Sequence, residues 1–154
     1  MKATVYFIQL SDAQVAKING PVGCGGGWGG AVGRTYWKAQ NKGEYKNAAL
    51  LGMIQPAAKL EAYDAENVFH MIQNHQTPWT ASEHVEVLTD KPRSMMVGDV
   101  IVWEDGTTEV VARFGFEKYE GDFKKMLKEQ SELGAYFFQT TLDKALEYVE
   151  KETA

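Results

Sequence analysis

Two clusters of residue types in this sequence have the means to do chemistry. The first is the run Gly23-Cys-Gly-Gly-Gly-Trp-Gly-Gly30, followed within a few turns by Arg34, Tyr36, Trp37, Lys38 and Lys42. Glycines let a backbone approach a ligand closely, cations meet phosphate or carboxylate, and aromatic faces stack on bases or on apolar partners. Gly25-x-Gly27-x-x-Gly30 has the spacing of a dinucleotide fingerprint. That chemistry needs a strand running into the first glycine, a helix opening at the last, and an acid about 20 residues on. Here Pro21 and an expected helix precede the loop, and Glu44 falls past an expected helix end. No Gly-Lys-[Ser/Thr] follows, which excludes a P-loop. Two accounts remain. In one, Tyr36 and Trp37 anchor a short helix to a sheet and the lysines confer solubility. In the other, Trp28, Arg34, Tyr36, Trp37 and Lys38 form a surface for a protein partner or a nucleotide-like ligand.

The second cluster is Arg93-Ser-Met-Met-Val-Gly-Asp99. An arginine, a serine and an aspartate this close can line a ligand site, with Arg93 as the anion-binding member. They can equally serve the backbone: Gly98 takes a bend entering a strand, while Asp99 or Ser94 accepts from amides that the bend leaves exposed.

Other reactive types point to no site. Cys24 is the single cysteine, so it can form no intrachain disulfide. Glycine amides can activate a thiol, but a Cys-His pair would need a distant base among His70, His75 and His84. His70 and His75 diverge on a helix, and His84 with Glu86 gives two ligands on one strand face, too few for a metal. No catalytic residue, metal or cofactor is assigned.

The run Arg93-Ser-Met-Met-Val-Gly-Asp-Val-Ile101, then a hairpin, then Phe114-Gly-Phe116, resembles small uncharacterised proteins of bacteriophages, plasmids and other mobile elements, including the YodL-like domain. Those proteins commonly read Arg-Ser-[Leu/Met]-Ser-Val-[Gly/Ser]-Asp-Val-[Val/Ile] and close with Gly-Phe. Val68 to Asn74, Pro78-Trp79-Thr80 and His84 to Val87 look like the segments that often precede the run. Met96 stands where serine is usual, so a paired-serine site is not carried over. The resemblance implies a phage or mobile-element setting and no particular reaction.

The elements that must position these residues follow from periodicity and caps. Thr4 to Leu10 reads as a buried strand. Ser11 to Gln14 forms a capping box opening a helix with Val15 and Ile18 inward, ended by Asn19-Gly20-Pro21. Arg34 to Gln40 and Tyr45 to Met53 read as short helices. Lys59 to Tyr63 is a strand, and Asp64 caps a helix burying Val68, Phe69, Met71 and Ile72. His84 to Leu88 is a further strand. Asp99 to Trp103 and Thr108 to Phe114 make a hairpin about Glu104-Asp105-Gly106, with Phe114 and Phe116 filling the core. A helix over 122–132 stops at Gly134, and Tyr136 to Gln139 with the helix after Thr140 repeats the strand-cap-helix layout of the earlier units. The sum is one α+β domain over residues 1–154, its sheet mixed or mostly antiparallel with a hairpin over 99–114, packed by several short helices.

Composition bounds the rest. At 44% apolar and 24% charged the chain can bury a core. Its net charge of -5 is unevenly spread: residues 1–60 hold seven Lys/Arg against two acids, and residues 61–120 hold four against twelve. No dense basic face forms, which argues against general nucleic-acid binding. The apolar run after the N-terminus is too short for a leader or a membrane span, and one free thiol suits a reducing compartment, so a cytoplasmic protein is expected. The expected function is a non-enzymatic accessory protein that binds a host protein, for takeover or evasion of defence. The alternative is an enzyme or sequestering protein for a small nucleotide-like ligand held at the glycine loop, and a homodimer along an exposed hairpin edge is a third reading.

Overall fold

Burial alternates along strand β1 (Lys2–Ile8): Ala3, Val5 and Phe7 are buried while Thr4 and Tyr6 are half-buried. That period of two is what a strand with one face on a core requires. The computed structural model describes residues 1–23, 25–138 and 148–149. Five more strands follow: β2 (Ile54–Glu61), β3 (Val85–Val87), β4 (Val100–Trp103), β5 (Thr108–Val111) and β6 (Phe116–Lys118). They form one antiparallel sheet in the order β3-β2-β1-β4-β5-β6. The helices are α1 (Asp12–Ile18), α2 (Ala31–Lys42), α3 (Lys46–Leu50), α4 (Ala65–Met71) and α5 (Phe123–Phe138). The fold is α+β, as the segment pattern predicts.

The chain divides into two compact units, Met1–Phe7 with Gln55–Phe123, and Ile8–Ile54 with Lys124–Ala154. The first unit holds the sheet. One face of it packs Val5, Phe7, Leu60, Ile101 and Trp103 against Val68 of α4, Ile72 just after it, and Trp79. Trp79 stands edge-on to Phe7, with ring centroids 6.2 Å apart. On the alternate positions, Tyr6 and Tyr119 both meet the buried Phe123 edge-on.

The hairpin pairs Val100 with Val110 and Val102 with Thr108, and Gly106 turns at a φ of 91°. Its outer sides are taken by β1 and β6, so the exposed hairpin edge expected from sequence does not exist; the sheet ends at β3 and β6. The returning strand is shorter than expected. Ala112 N donates to Gly115 O, and Gly115 has a φ of 78°. This reversal puts Phe114 at the corner, 92% exposed, and not in the core. Phe116 beyond it is half-buried.

In the second unit, α1 has the expected capping box: Ser11 Oγ accepts from Gln14 N, and Gln14 Oε1 accepts from Ser11 N. The inward residue differs. Val15 is 41% exposed, and buried Gln14 instead donates through Nε2 to Leu51 O at 2.8 Å. With only seven residues, α1 buries the i and i+4 pair Gln14 and Ile18. Helices α2 and α3 present small buried residues, among them Gly33, Ala39, Ala48 and Ala49. α5 runs through Gly134 without stopping, because a side chain there would strike the Leu50 carbonyl oxygen. Tyr136 is consequently helical and starts no strand. The remainder of the expected third unit, residues 139–147, lies outside the described residues, as does Cys24.

Candidate functional site

The Arg93–Asp99 run is tied to its surroundings at almost every residue. Gly98 takes a φ of 94°, the bend the sequence calls for. Asp99 is fully buried, and its Oδ2 accepts from Met96 N at 2.8 Å. Arg93 closes on the same carboxylate with both ends of its fork, Nη1 to Oδ2 at 2.7 Å and Nη2 to Oδ1 at 2.8 Å. Its guanidinium carbon lies 4.2 Å from the centroid of the Phe7 ring. Its backbone carbonyl accepts from Trp79 Nε1 at 2.7 Å. Ser94 Oγ accepts from Asn74 N, and Met95 N donates to Ile72 O. The geometry therefore has Arg93, Ser94 and Asp99 fastening the end of α4 and the entry of β4 to each other, the backbone-serving account of these residues.

The glycine loop is likewise shaped by its own packing. It is entered from α1 and not from a strand, so the fingerprint spacing lacks the geometry that gives it meaning. Gly27 N donates to Ile18 O at 2.6 Å. A side chain at Gly26 would run into Gly20, and one at Gly30 into Gly25. At Gly33 a Cβ would come within 2.6 Å of Trp28 Cα. The loop is thus folded tightly on itself and onto α2, and this fold turns Trp28 outward.

The five early candidates lie on this loop and α2. Trp28 is 58% exposed and its ring lies 6.0 Å from that of Tyr36. Arg34 Nη1 donates to Gly29 O at 3.2 Å, which holds the guanidinium next to the loop. Trp37 is 48% exposed, with Lys42 Nζ 5.7 Å from its ring centroid. Lys38 is half-buried. Helical spacing puts Arg34, Trp37 and Lys38 at i, i+3 and i+4, along one stripe. Arg93 belongs to the first unit, and this stripe to the second.

Sequence reasoning missed a groove in the first unit, of about 880 Å³, between α4, the Met95–Val97 segment and the β5–β6 turn. Phe69 and Phe116 meet edge-on in it, ring centroids 6.2 Å apart. Asp64, Glu66, Glu109 and Arg113 stand along its lining. The available signal was Met95-Met96 directly after Ser94; adjacent methionines are soft, adaptable groups suited to lining an irregular surface.

Among the described residues no group of three or more His, Cys, Asp or Glu side chains is placed to hold a metal ion. None of their helices is long and apolar enough to cross a membrane. Comparison with protein families, curated proteins and solved structures finds no match to this chain.

Proposed function

We propose that this chain is a non-enzymatic accessory protein of a phage or mobile element, and that it binds a host protein in the host cytoplasm through Trp28, Arg34, Tyr36, Trp37 and Lys38. The observation that carries this reading is the exposure of Trp28 and Trp37, 58% and 48%, beside cations on a self-packed loop and helix. Large aromatic side chains and arginine are the residues most enriched at the centres of protein interfaces, and a rigid platform limits the entropy lost on docking. The engagement of Arg93 with Asp99 supports a scaffold role for this expected binding residue.

Affinity capture from host lysate with the wild-type chain and with Trp28→Ser/Trp37→Ser tests this. One stoichiometric partner, retained by the wild type and lost by the variant at unchanged melting temperature, is the expected result. A second reading rests on the Trp28–Tyr36 ring pair beside Arg34, which suits a nucleotide-like ligand. Quenching of tryptophan fluorescence by a nucleotide, with no protein captured, would replace the first reading by the second.

A further inference from the structure

We infer that the groove of the first unit is a separate docking site for a short peptide segment that carries large apolar side chains flanked by Lys or Arg. Phe69, Val97 and Phe116 are partly buried against the core, and Met95 and Val111 are buried in it, so the lining is apolar and continuous with a packed interior. Met96, exposed at the lip, adds a flexible thioether that can fit side chains of different shape. A volume of about 880 Å³ is at the upper end of the roughly 300–1,000 Å³ typical of ligand clefts. Several side chains fit in such a space.

Charge selects among apolar segments. Three carboxylates, Asp64, Glu66 and Glu109, stand along the lining with one guanidinium, Arg113, and one imidazole, His70. Two of the three are held in place by bonds within the protein: Asp64 Oδ1 accepts from Asn67 N at 2.8 Å, and Glu109 Oε2 accepts from Trp103 Nε1 at 2.7 Å. Their negative charge is therefore positioned before any ligand arrives, which favours a cationic segment and repels an acidic one. Phe116 opens β6, the last strand of the sheet, so a strand edge adjoins the groove and can offer main-chain hydrogen bonds to an extended peptide.

The test is fluorescence anisotropy with two labelled peptides, Lys-Leu-Phe-Leu-Lys and its twin Glu-Leu-Phe-Leu-Glu, against the full chain. Saturable binding of the lysine peptide, about tenfold tighter than that of the twin, is expected. Glu66→Lys, at an exposed position, should reduce that preference several-fold, and Met96→Lys should weaken both peptides. Equal binding of the two peptides, absence of saturable binding, or wild-type behaviour of both variants would overturn the proposal. So would a dimer in sedimentation that Met96→Lys dissolves, since a second copy would then occupy the groove. Trp28→Ser/Trp37→Ser should bind the lysine peptide like the wild type; loss of binding there would move the peptide to α2 and away from the groove.

Discussion

The guanidinium of Arg93 and the carboxylate of Asp99 meet through two parallel hydrogen bonds of 2.7 and 2.8 Å, with the carboxylate wholly out of solvent and the arginine stem only partly so. Two-point pairing fixes direction as well as distance, so the five residues between them are held as a closed loop. Phe7 of β1 lies under the guanidinium and Trp79 Nε1 grips the Arg93 carbonyl. One pair thereby joins a central strand, the entry of the hairpin and the buried Trp79.

Arg93→Ala leaves a buried carboxylate without its counter-charge, a change that typically costs about 3–5 kcal/mol. The expected outcome is a large drop in melting temperature, while Arg93→Lys, which keeps the charge but loses the fork, falls between variant and wild type. Chemical denaturation of the three proteins measures it. An Arg93→Ala protein as stable as the wild type would return Arg93 to the list of binding residues.

Gly134 sits inside α5, where alanine ordinarily stabilises a helix by about 1 kcal/mol relative to glycine. The sign reverses here, because the added methyl would strike the Leu50 carbonyl oxygen. Gly134→Ala should destabilise by about 1–3 kcal/mol, the usual range for overpacking. Gly33→Ala should do the same through Trp28 Cα. Urea titration reads both, and a stabilised Gly134→Ala would show that α5 does not approach α3 so closely.

Gln14 and Val15 make a matched pair for a third test. Gln14→Ala removes half of the capping box and leaves the Leu51 carbonyl without its side-chain donor, for an expected loss of about 1–3 kcal/mol. Val15→Ser, on the exposed side of α1, should stay within about 0.5 kcal/mol. Equal losses by thermal melting would restore Val15 to the interior.

What could be read from the chain alone was the local grammar. The Ser11–Gln14 box, the Asp64 cap, the Gly98 bend and the Gly106 turn each depend on a few adjacent residues, and each is present. What could not be read depended on distant neighbours. Polar Gln14 is buried because Leu51 offers it a carbonyl, and Gly134 continues a helix because Leu50 leaves no room for a side chain. Phe114 looked like core from its type, but the reversal at Gly115 exposes it. Exposure of Trp28 and Trp37 was legible as one of two alternatives, whereas the groove is assembled from segments far apart in sequence and left only the Met95-Met96 trace.

Asp105 offers a pH test of the hairpin turn. Its carboxylate Oδ1 accepts from both the hydroxyl and the amide of Thr107, at 2.6 and 2.9 Å. The side-chain bond first, and the backbone bond after it, hold its pKa below the ordinary value of 3.8. Since the folded pKa is the lower one, this turn contributes its stability above the ordinary value and loses it as pH falls through the folded midpoint. Thr107→Val deletes the hydroxyl and keeps the amide, so the Asp105 midpoint should rise towards the ordinary value without reaching it. Carboxyl chemical shifts followed through an acid titration measure both proteins. An unchanged midpoint in the valine variant would mean that the hydroxyl does not hold the carboxylate in solution, and that the Thr107 amide bond and Gly106 suffice for the tight 104–107 turn.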